Sequence, residues 1–82
     1  MQARTVIFSP QATERLGELN PTKEEFKAVR IQLQLLAANP EKGYQFLFQR
    51  PTEHLYLFEV GRFGLIYRTT KDRLEVVGVI TI

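Results

Sequence analysis

The 82-residue sequence contains no cysteine and has only one histidine and one serine. Without cysteine the chain has no disulfide, no thiolate nucleophile and no thiolate metal ligand. His54 alone does not supply the ligand set of a transition-metal site. Ser9 precedes Pro10, which is the arrangement of a helix N-cap followed by the first helical residue rather than that of a nucleophile. We therefore expect no metal site and no cofactor.

Long apolar runs and runs of like charge are also missing from the sequence. No segment approaches the roughly 20 apolar residues of a membrane-spanning helix, and the start of the chain lacks the apolar core of a secretory signal. The net charge is +2, and basic residues alternate with acidic ones between Arg4 and Arg73. We therefore expect a cytoplasmic protein without membrane contact, and the charge pattern does not predict a surface that tracks phosphates.

The five glycines form no phosphate-binding pattern. Gly64 and Gly78 fall inside predicted strands, where glycine costs stability. Such a glycine marks either close packing or a place where a ligand approaches the backbone. Both interpretations stay open from the sequence.

The hydrophobic pattern predicts one domain over residues 1–82 with two helices after a first strand. The strand covers residues 5–8, and Thr22 with Glu25 forms a capping box at the start of the second helix. The first helix buries Ala12, Leu16 and Leu19. The second helix ends at Asn39-Pro40, and the two helices are joined closely enough to form a helical hairpin. Its predicted buried stripe consists of Phe26, Val29, Leu33 and Leu36, widened by Ile31 and Leu35.

After a Pro-Glu-Lys-Gly loop the apolar period changes from 3.6 to 2, which predicts strands. They cover residues 44–49, 55–60, 63–68 and 74–82, with a turn at residues 50–53 and His54 just after it. The element order is β-α-α-β-β-β-β. This order predicts an α+β fold in which the helical hairpin packs on one face of a mainly antiparallel sheet.

Gly61 at the first central position of a two-residue turn predicts a type II′ hairpin. The resulting register puts aromatic and aliphatic residues on one face, namely Tyr56, Phe58, Val60, Phe63, Leu65 and Tyr67. A next turn at Lys71-Asp72 would pair Ile66 with Val77. The second face then has an apolar centre with a charged rim, which is typical of a protein-binding surface. This predicted partner-binding face consists of Leu55, Leu57, Glu59, Gly64, Ile66, Arg68, Glu75 and Val77.

Three segments resemble the RelE/ParE superfamily, the toxins of type II toxin–antitoxin modules. They read TVIFSPQATERLGEL, IQLQLLAANPEKG and YLFEVGRFGLIYR, and the likeness covers essentially the whole chain. The resemblance implies a small toxin that is held inactive by an antitoxin wrapped around it. Relatives of the RelE type cut mRNA in the ribosomal A site without metal, with basic side chains on the open sheet face. Relatives of the ParE type act on DNA gyrase instead.

The sequence departs from the RelE pattern at the residues that carry catalysis. The two basic positions before the turn correspond to Leu57 and Glu59, and the arginine after the turn corresponds to Gly64. The basic or aromatic segment at the C-terminal end of relatives has no counterpart before Ile82. A nuclease that stabilises a phosphorane needs these cations, so we do not predict a working RelE nuclease.

Three hypotheses follow from the sequence. The first is a toxin-like protein that acts through protein binding, with a cognate antitoxin as partner. The second is a metal-independent endoribonuclease on the ribosome with a rearranged site, for which the catalytic candidates are Arg62, Arg68, Arg73 and Tyr67. The third is a non-toxic homologue that serves as an interaction module or a homodimer. No residue pattern supports ribosome, mRNA or gyrase binding directly.

Overall fold

The computed structural model describes residues 4–38, 45–50 and 53–82. The element order is the predicted one, and the α+β fold class is confirmed. The elements are β1 (Thr5–Phe8), α1 (Pro10–Glu18), α2 (Lys23–Ala38), β2 (Gln45–Arg50), β3 (Glu53–Val60), β4 (Phe63–Thr69) and β5 (Arg73–Thr81).

Both helices begin at side-chain caps that the sequence predicts. The Ser9 hydroxyl accepts a hydrogen bond of 3.1 Å from the Ala12 amide, and Pro10 opens α1. At the start of α2 the Glu25 amide donates to the Thr22 hydroxyl at 3.1 Å, and the Thr22 amide donates to the Glu25 carboxylate at 2.9 Å. These bonds satisfy amide groups that have no partner inside the first turn of a helix.

The connection between the helices is as short as the sequence implies. Asn20 ends α1 in the left-handed region with a φ of 53°, which asparagine tolerates better than most residues. The chain reaches α2 three residues later. The two helices nevertheless make their main contacts with the sheet and not with each other: α1 lies on β5, and α2 lies on β1 and β3.

The five strands form one sheet in the order β1-β5-β4-β3-β2. Strand β1 runs parallel to β5, and the other neighbours are antiparallel, as the prediction of a mainly antiparallel sheet requires. The β3–β4 register is the predicted one, with Leu57 opposite Ile66 and Val60 opposite Phe63. Gly61 in the turn has a φ of 58°, while Arg62 is not among the residues with positive φ, as a type II′ turn requires.

The core lies between the two helices and one face of the sheet. It contains the predicted residues of β3 and β4, of which Tyr56 and Phe58 are only partly buried. The buried members are Ala12, Leu16, Val29, Leu33, Leu36, Ala37, Val60, Phe63, Leu65, Tyr67, Leu74, Val76 and Val79.

The prediction for the buried stripe of α2 was partly wrong. Val29 and Leu33 are buried, but Ile31 is 43% exposed and Leu35 is 61% exposed. Each of these two residues lies two positions from Leu33, which is about 200° around a helix, so neither can share its face. Phe26 sits at the border of the stripe and is 50% exposed. The predicted end of α2 at Asn39-Pro40 lies outside the described residues.

Strand β3 begins earlier than the sequence predicts. It starts at Glu53, so His54 belongs to the strand and pairs with Gln49 rather than lying in a turn. The ladder of β2 and β3 continues to the pair Arg50 and Glu53. A pattern of alternating side chains marks the middle of a strand better than its ends.

Candidate functional site: the open face of the sheet

The face of the sheet that points away from the helices carries the residues predicted to bind a partner. Because side chains alternate along a strand, the pairs Leu57–Ile66, Glu59–Gly64 and Arg68–Glu75 share this face. Leu55 is two residues before Leu57 on β3 and therefore lies on the same face. Arg73 alternates onto this face with Glu75. We call these residues, together with Ile80, the open face. Leu57 and Ile66 are half-buried, and Ile80 is 42% exposed.

One predicted pairing on the open face was wrong. The register shifts between Ile66 and Tyr67, so that Ile66 lies opposite Gly78 instead of Val77. Gly64 accordingly lies opposite Ile80. A β-bulge of this kind adds one residue to a strand, and the alternation of a mostly apolar strand does not reveal it. Val77 is the extra residue of the bulge, and sequence reasoning missed Ile80, which lies opposite Gly64.

The two strand glycines are covered by neighbouring side chains. A Cβ atom at Gly64 would lie 2.8 Å from Cγ1 of Ile80 and 3.1 Å from Cδ1 of Leu57. At Gly78 the corresponding distance to Cδ1 of Ile66 is 3.5 Å. The close-packing interpretation therefore applies to Gly64. Gly64 is the position that corresponds to an arginine in the resembled family. Here the side chains of Ile80 and Leu57 fill the space next to this glycine and form one apolar layer.

The described charged residues on the open face are of both signs. Glu59 is exposed next to the apolar layer. At the other end, Nε and Nη2 of Arg68 each lie 2.8 Å from Oε1 of Glu75, so one carboxylate compensates this guanidinium. Among the described residues of the face, a phosphate would meet the exposed Glu59, Arg68 paired with Glu75, and Arg73 with its Nε 4.0 Å from Asp72. This mixture of signs is a poor electrostatic complement for a phosphate.

Arg62 is held at the junction of the two helices and not on the open face. Its Nε donates to Glu25 at 2.6 Å, and its Nη2 donates to the Leu19 carbonyl at 3.0 Å. Its guanidinium also lies 4.6 Å from the centre of the Phe63 ring. The hydrogen bond from Arg62, followed by the Thr22 amide, lowers the pKa of Glu25 from 4.5 to about 2. The Glu25 carboxylate in turn raises the pKa of Arg62.

Of the four catalytic candidates from the sequence, only Arg68 and Arg73 lie near one another, because Arg73 is two residues from Glu75, the partner of Arg68, on the same face of β5. Tyr67 is fully buried on the core face, stacked on Tyr56 with ring centroids 5.4 Å apart. Arg62 and Arg68 are six strand residues apart, which corresponds to about 20 Å. Arg73 lies exposed at the start of β5, with its Nε 4.0 Å from Asp72. Tyr67 on the core face and Arg62 beside Glu25 are therefore separated from Arg68 and Arg73, and the four residues do not surround one site.

Within residues 4–38, 45–50 and 53–82 no group of three or more His, Asp or Glu side chains could hold a metal ion. None of the helices described is long and apolar enough to cross a membrane.

The fold is shared with solved structures, although no family model and no curated protein matches the sequence. One similar structure is the archaeal RelE–RelB complex from Pyrococcus horikoshii, with a TM-score of 0.78 and 16% sequence identity, covering 98% of this chain and 96% of that one. Another is the toxin–antitoxin complex RelBE2 from Mycobacterium tuberculosis, with a TM-score of 0.72 and 16% identity, covering 99% and 100%. Over essentially its whole length, the chain therefore has the RelE-like fold found in these two complexes.

Proposed function

We propose that the protein is a toxin-like component of a type II toxin–antitoxin module and that it acts by binding another protein through the open face. The fold that it shares with chains of the RelE–RelB and RelBE2 complexes supports a small antitoxin as its partner. The observation that carries the proposal is the apolar layer of Leu57, Ile66 and Ile80 on the sheet face opposite to the one on which the two described helices pack.

The energetics of this layer favour a protein partner. Covering apolar surface removes it from water, which contributes roughly 25 cal/mol for each Å² buried. The rim formed by Glu59 on one side and by Arg68 with Glu75 on the other offers charged groups of both signs. An apolar centre with a mixed polar rim is the usual anatomy of a protein–protein contact.

The same composition argues against a nuclease of the RelE type. Stabilising a pentacoordinate phosphorus needs cations aimed at the phosphate oxygens. On the open face Arg68 is paired with Glu75, Arg73 lies 4.0 Å from Asp72, and Glu59 would repel a phosphate. Arg62 is engaged by Glu25 and the Leu19 carbonyl. Protein binding therefore accounts for the site better than RNA cleavage does.

The test is first to look for a short reading frame adjacent to the gene and then to co-express its product with the protein. We expect the two proteins to copurify and the partner to relieve a growth defect. Leu57→Glu places a charge in the apolar layer and should weaken the complex by more than about 2 kcal/mol, or about thirtyfold in Kd, as for a central interface residue. Leu35→Glu is the matched control, because Leu35 is a 61% exposed leucine on α2, outside the open face.

Three results would contradict the proposal. A protein that binds no such partner and leaves growth unchanged would be a non-toxic homologue. Sedimentation of a homodimer that Leu57→Glu converts to monomer would assign the open face to a second copy. Cleavage of ribosome-bound mRNA that disappears when Arg62 and Arg68 are replaced would establish the nuclease instead.

A further inference from the structure

A second apolar stripe runs along the solvent side of α2, opposite the stripe that faces the core. Ile31 is 43% exposed and Leu35 is 61% exposed, so neither side chain belongs to the core. Ala28 precedes Ile31 by three residues, Ala38 follows Leu35 by three residues, and both alanines are exposed. Because each helical residue turns the chain by about 100°, these positions share one face, on the far side of the helix from Leu33. This outer stripe consists of Ala28, Ile31, Leu35 and Ala38.

The spacing of the outer stripe is that of two paired helices. Its apolar positions are separated by three, four and three residues, which is the seven-residue period of a seam where two helices pack side by side. On a helix that packs on one side only, the side away from the core carries polar and charged residues instead. The outer stripe therefore indicates that a second helix packs on α2.

The order of side-chain sizes in the outer stripe is the same from either end, namely small, large, large, small. A two-fold contact between copies requires such symmetry, because residue i of one copy meets residue j of the other and j meets i. We consider two antiparallel α2 helices with the two-fold axis level with the midpoint between Ile31 and Leu35. Each Ile31 then faces Leu35 of the other copy, and each Ala28 faces Ala38. The large side chains share the centre of the contact, and the alanines lie at its ends.

The charges beside the outer stripe do not oppose this contact. The flanking residues nearest the two-fold axis are Gln32 and Gln34, whose neutral amides both donate and accept hydrogen bonds and can pair with their own copies. At the rise of an α-helix, Lys27 lies about 18 Å from its own copy along the helix axis, and Glu24 lies about 27 Å from its own copy. Arg30 lies about 120° around the helix from the middle of the stripe and lines a pocket beside β1. Like charges are therefore kept apart, which removes the repulsion that opposes association of identical surfaces.

We propose that the outer stripe binds a second copy of the chain through antiparallel pairing of the two α2 helices. The symmetric order of sizes favours a second copy over an unrelated helix, which needs the seven-residue spacing but no such symmetry. Two large side chains from each copy make a contact below the roughly 1,600 Å² of a standard interface, so we expect a dissociation constant of about 10–100 μM. The outer stripe faces away from the sheet, so this inference does not depend on the open face or on the proposed toxin-like function.

The test is sedimentation equilibrium of the purified chain at concentrations from about 5 to 500 μM, on both sides of the expected dissociation constant. Leu35→Glu places a carboxylate in the seam and should weaken self-association by about tenfold or more. Ile82→Glu is the matched control, because Ile82 is a 62% exposed aliphatic residue just after β5 and its replacement changes the net charge equally. It should leave self-association unchanged. Circular dichroism verifies that both variants are folded, which is expected because both positions are exposed.

A mixture of two variants tests the antiparallel register by the same measurement. In Ile31→Lys and in Leu35→Glu alone, the new charge meets an apolar side chain of the other copy twice. In a mixed pair of the two variants the lysine faces the glutamate once, and the remaining Leu35 faces the remaining Ile31. The mixture should therefore associate about fivefold or more tightly than either variant alone. Parallel helices would instead place like positions opposite each other, and the lysine would meet an isoleucine.

A wild-type chain that stays monomeric at about 500 μM overturns the proposal. A dimer that Leu35→Glu leaves intact, or that Ile82→Glu weakens as much as Leu35→Glu does, also overturns it. A mixture that associates no more tightly than its components rejects the antiparallel register and with it the two-fold contact. A dimer that Leu57→Glu dissociates and Leu35→Glu does not would place the second copy on the open face instead.

Discussion

The replacement Gly64→Ala tests whether side chains from neighbouring strands close the open face. A methyl group at this position would lie 2.8 Å from Cγ1 of Ile80, which is too close for two carbon atoms. Because Cγ1 is held near the Ile80 backbone, the isoleucine must change its rotamer. Cδ1 of Leu57, at 3.1 Å, is the end of a flexible side chain and can move aside.

The expected change in the free energy of unfolding of Gly64→Ala combines two opposing effects. Replacing a strand glycine by alanine stabilises the fold by about 0.5–1 kcal/mol, because the unfolded chain loses freedom. Overpacking against Ile80 costs about 1–3 kcal/mol. The free energy of unfolding of Gly64→Ala should therefore fall by roughly 0–2.5 kcal/mol. In the Ile80→Ala background the contact is absent, and the same replacement should stabilise the protein by about 0.5–1 kcal/mol.

The assay is urea unfolding of the wild type, both single variants and the double variant, analysed as a double-mutant cycle. The coupling between Gly64→Ala and Ile80→Ala should be about 1–3 kcal/mol, which is the overpacking cost alone. Gly78→Ala is the matched control, because its Cβ would make an ordinary contact of 3.5 Å with Ile66. An equal effect of Gly64→Ala in both backgrounds would refute the reasoning.

Three further predictions concern the helices. Since Glu25 has a folded-state pKa of about 2 against an ordinary 4.5, its pairing with Arg62 stabilises the fold above pH 4.5 and is lost as the pH falls towards 2. Urea midpoints across this range should fall more steeply for the wild type than for Glu25→Gln; parallel curves would refute this. Leu33→Ala should cost about 2–5 kcal/mol because Leu33 is 1% exposed, whereas Leu35→Ala, at a 61% exposed position, should cost less than about 1 kcal/mol by the same measurement. Ser9→Ala removes the cap of α1 and should lower the free energy of unfolding by about 0.5–2 kcal/mol. Ser9→Asp keeps a capping oxygen and should preserve most of the wild-type stability.

Local rules explain what could be predicted from the sequence. The starts of both helices were predicted correctly, because each cap forms its hydrogen bond with a residue only three positions further along the chain. These caps are Ser9 for α1 and Thr22, paired with Glu25, for α2. The turn at Gly61 has two residues, which leaves one register for the hairpin once its type is known. The resulting pairs already separated the core face from the open face in β3 and β4.

Contacts between distant segments explain what the sequence could not predict. The bulge that places Ile80 over Gly64 depends on how β5 fits against both β4 and β1. Arg62 was a candidate for phosphate binding because it lies near the resembled catalytic positions. Its partner Glu25 is 37 residues away in the sequence, and no pattern within the hairpin indicates that contact.

The sequence by itself determined the element order, the helix caps and the hairpin register, because each depends on groups a few residues apart. It also determined the absence of thiol chemistry and of a cation at Leu57, Glu59 and Gly64. Only the tertiary structure decided that Ile80 covers Gly64, that Arg62 joins the sheet to the helices, and that Ile31 and Leu35 stay on the exposed side of α2. Each of these depends on how elements far apart in the chain pack, which the side-chain pattern of one element does not contain.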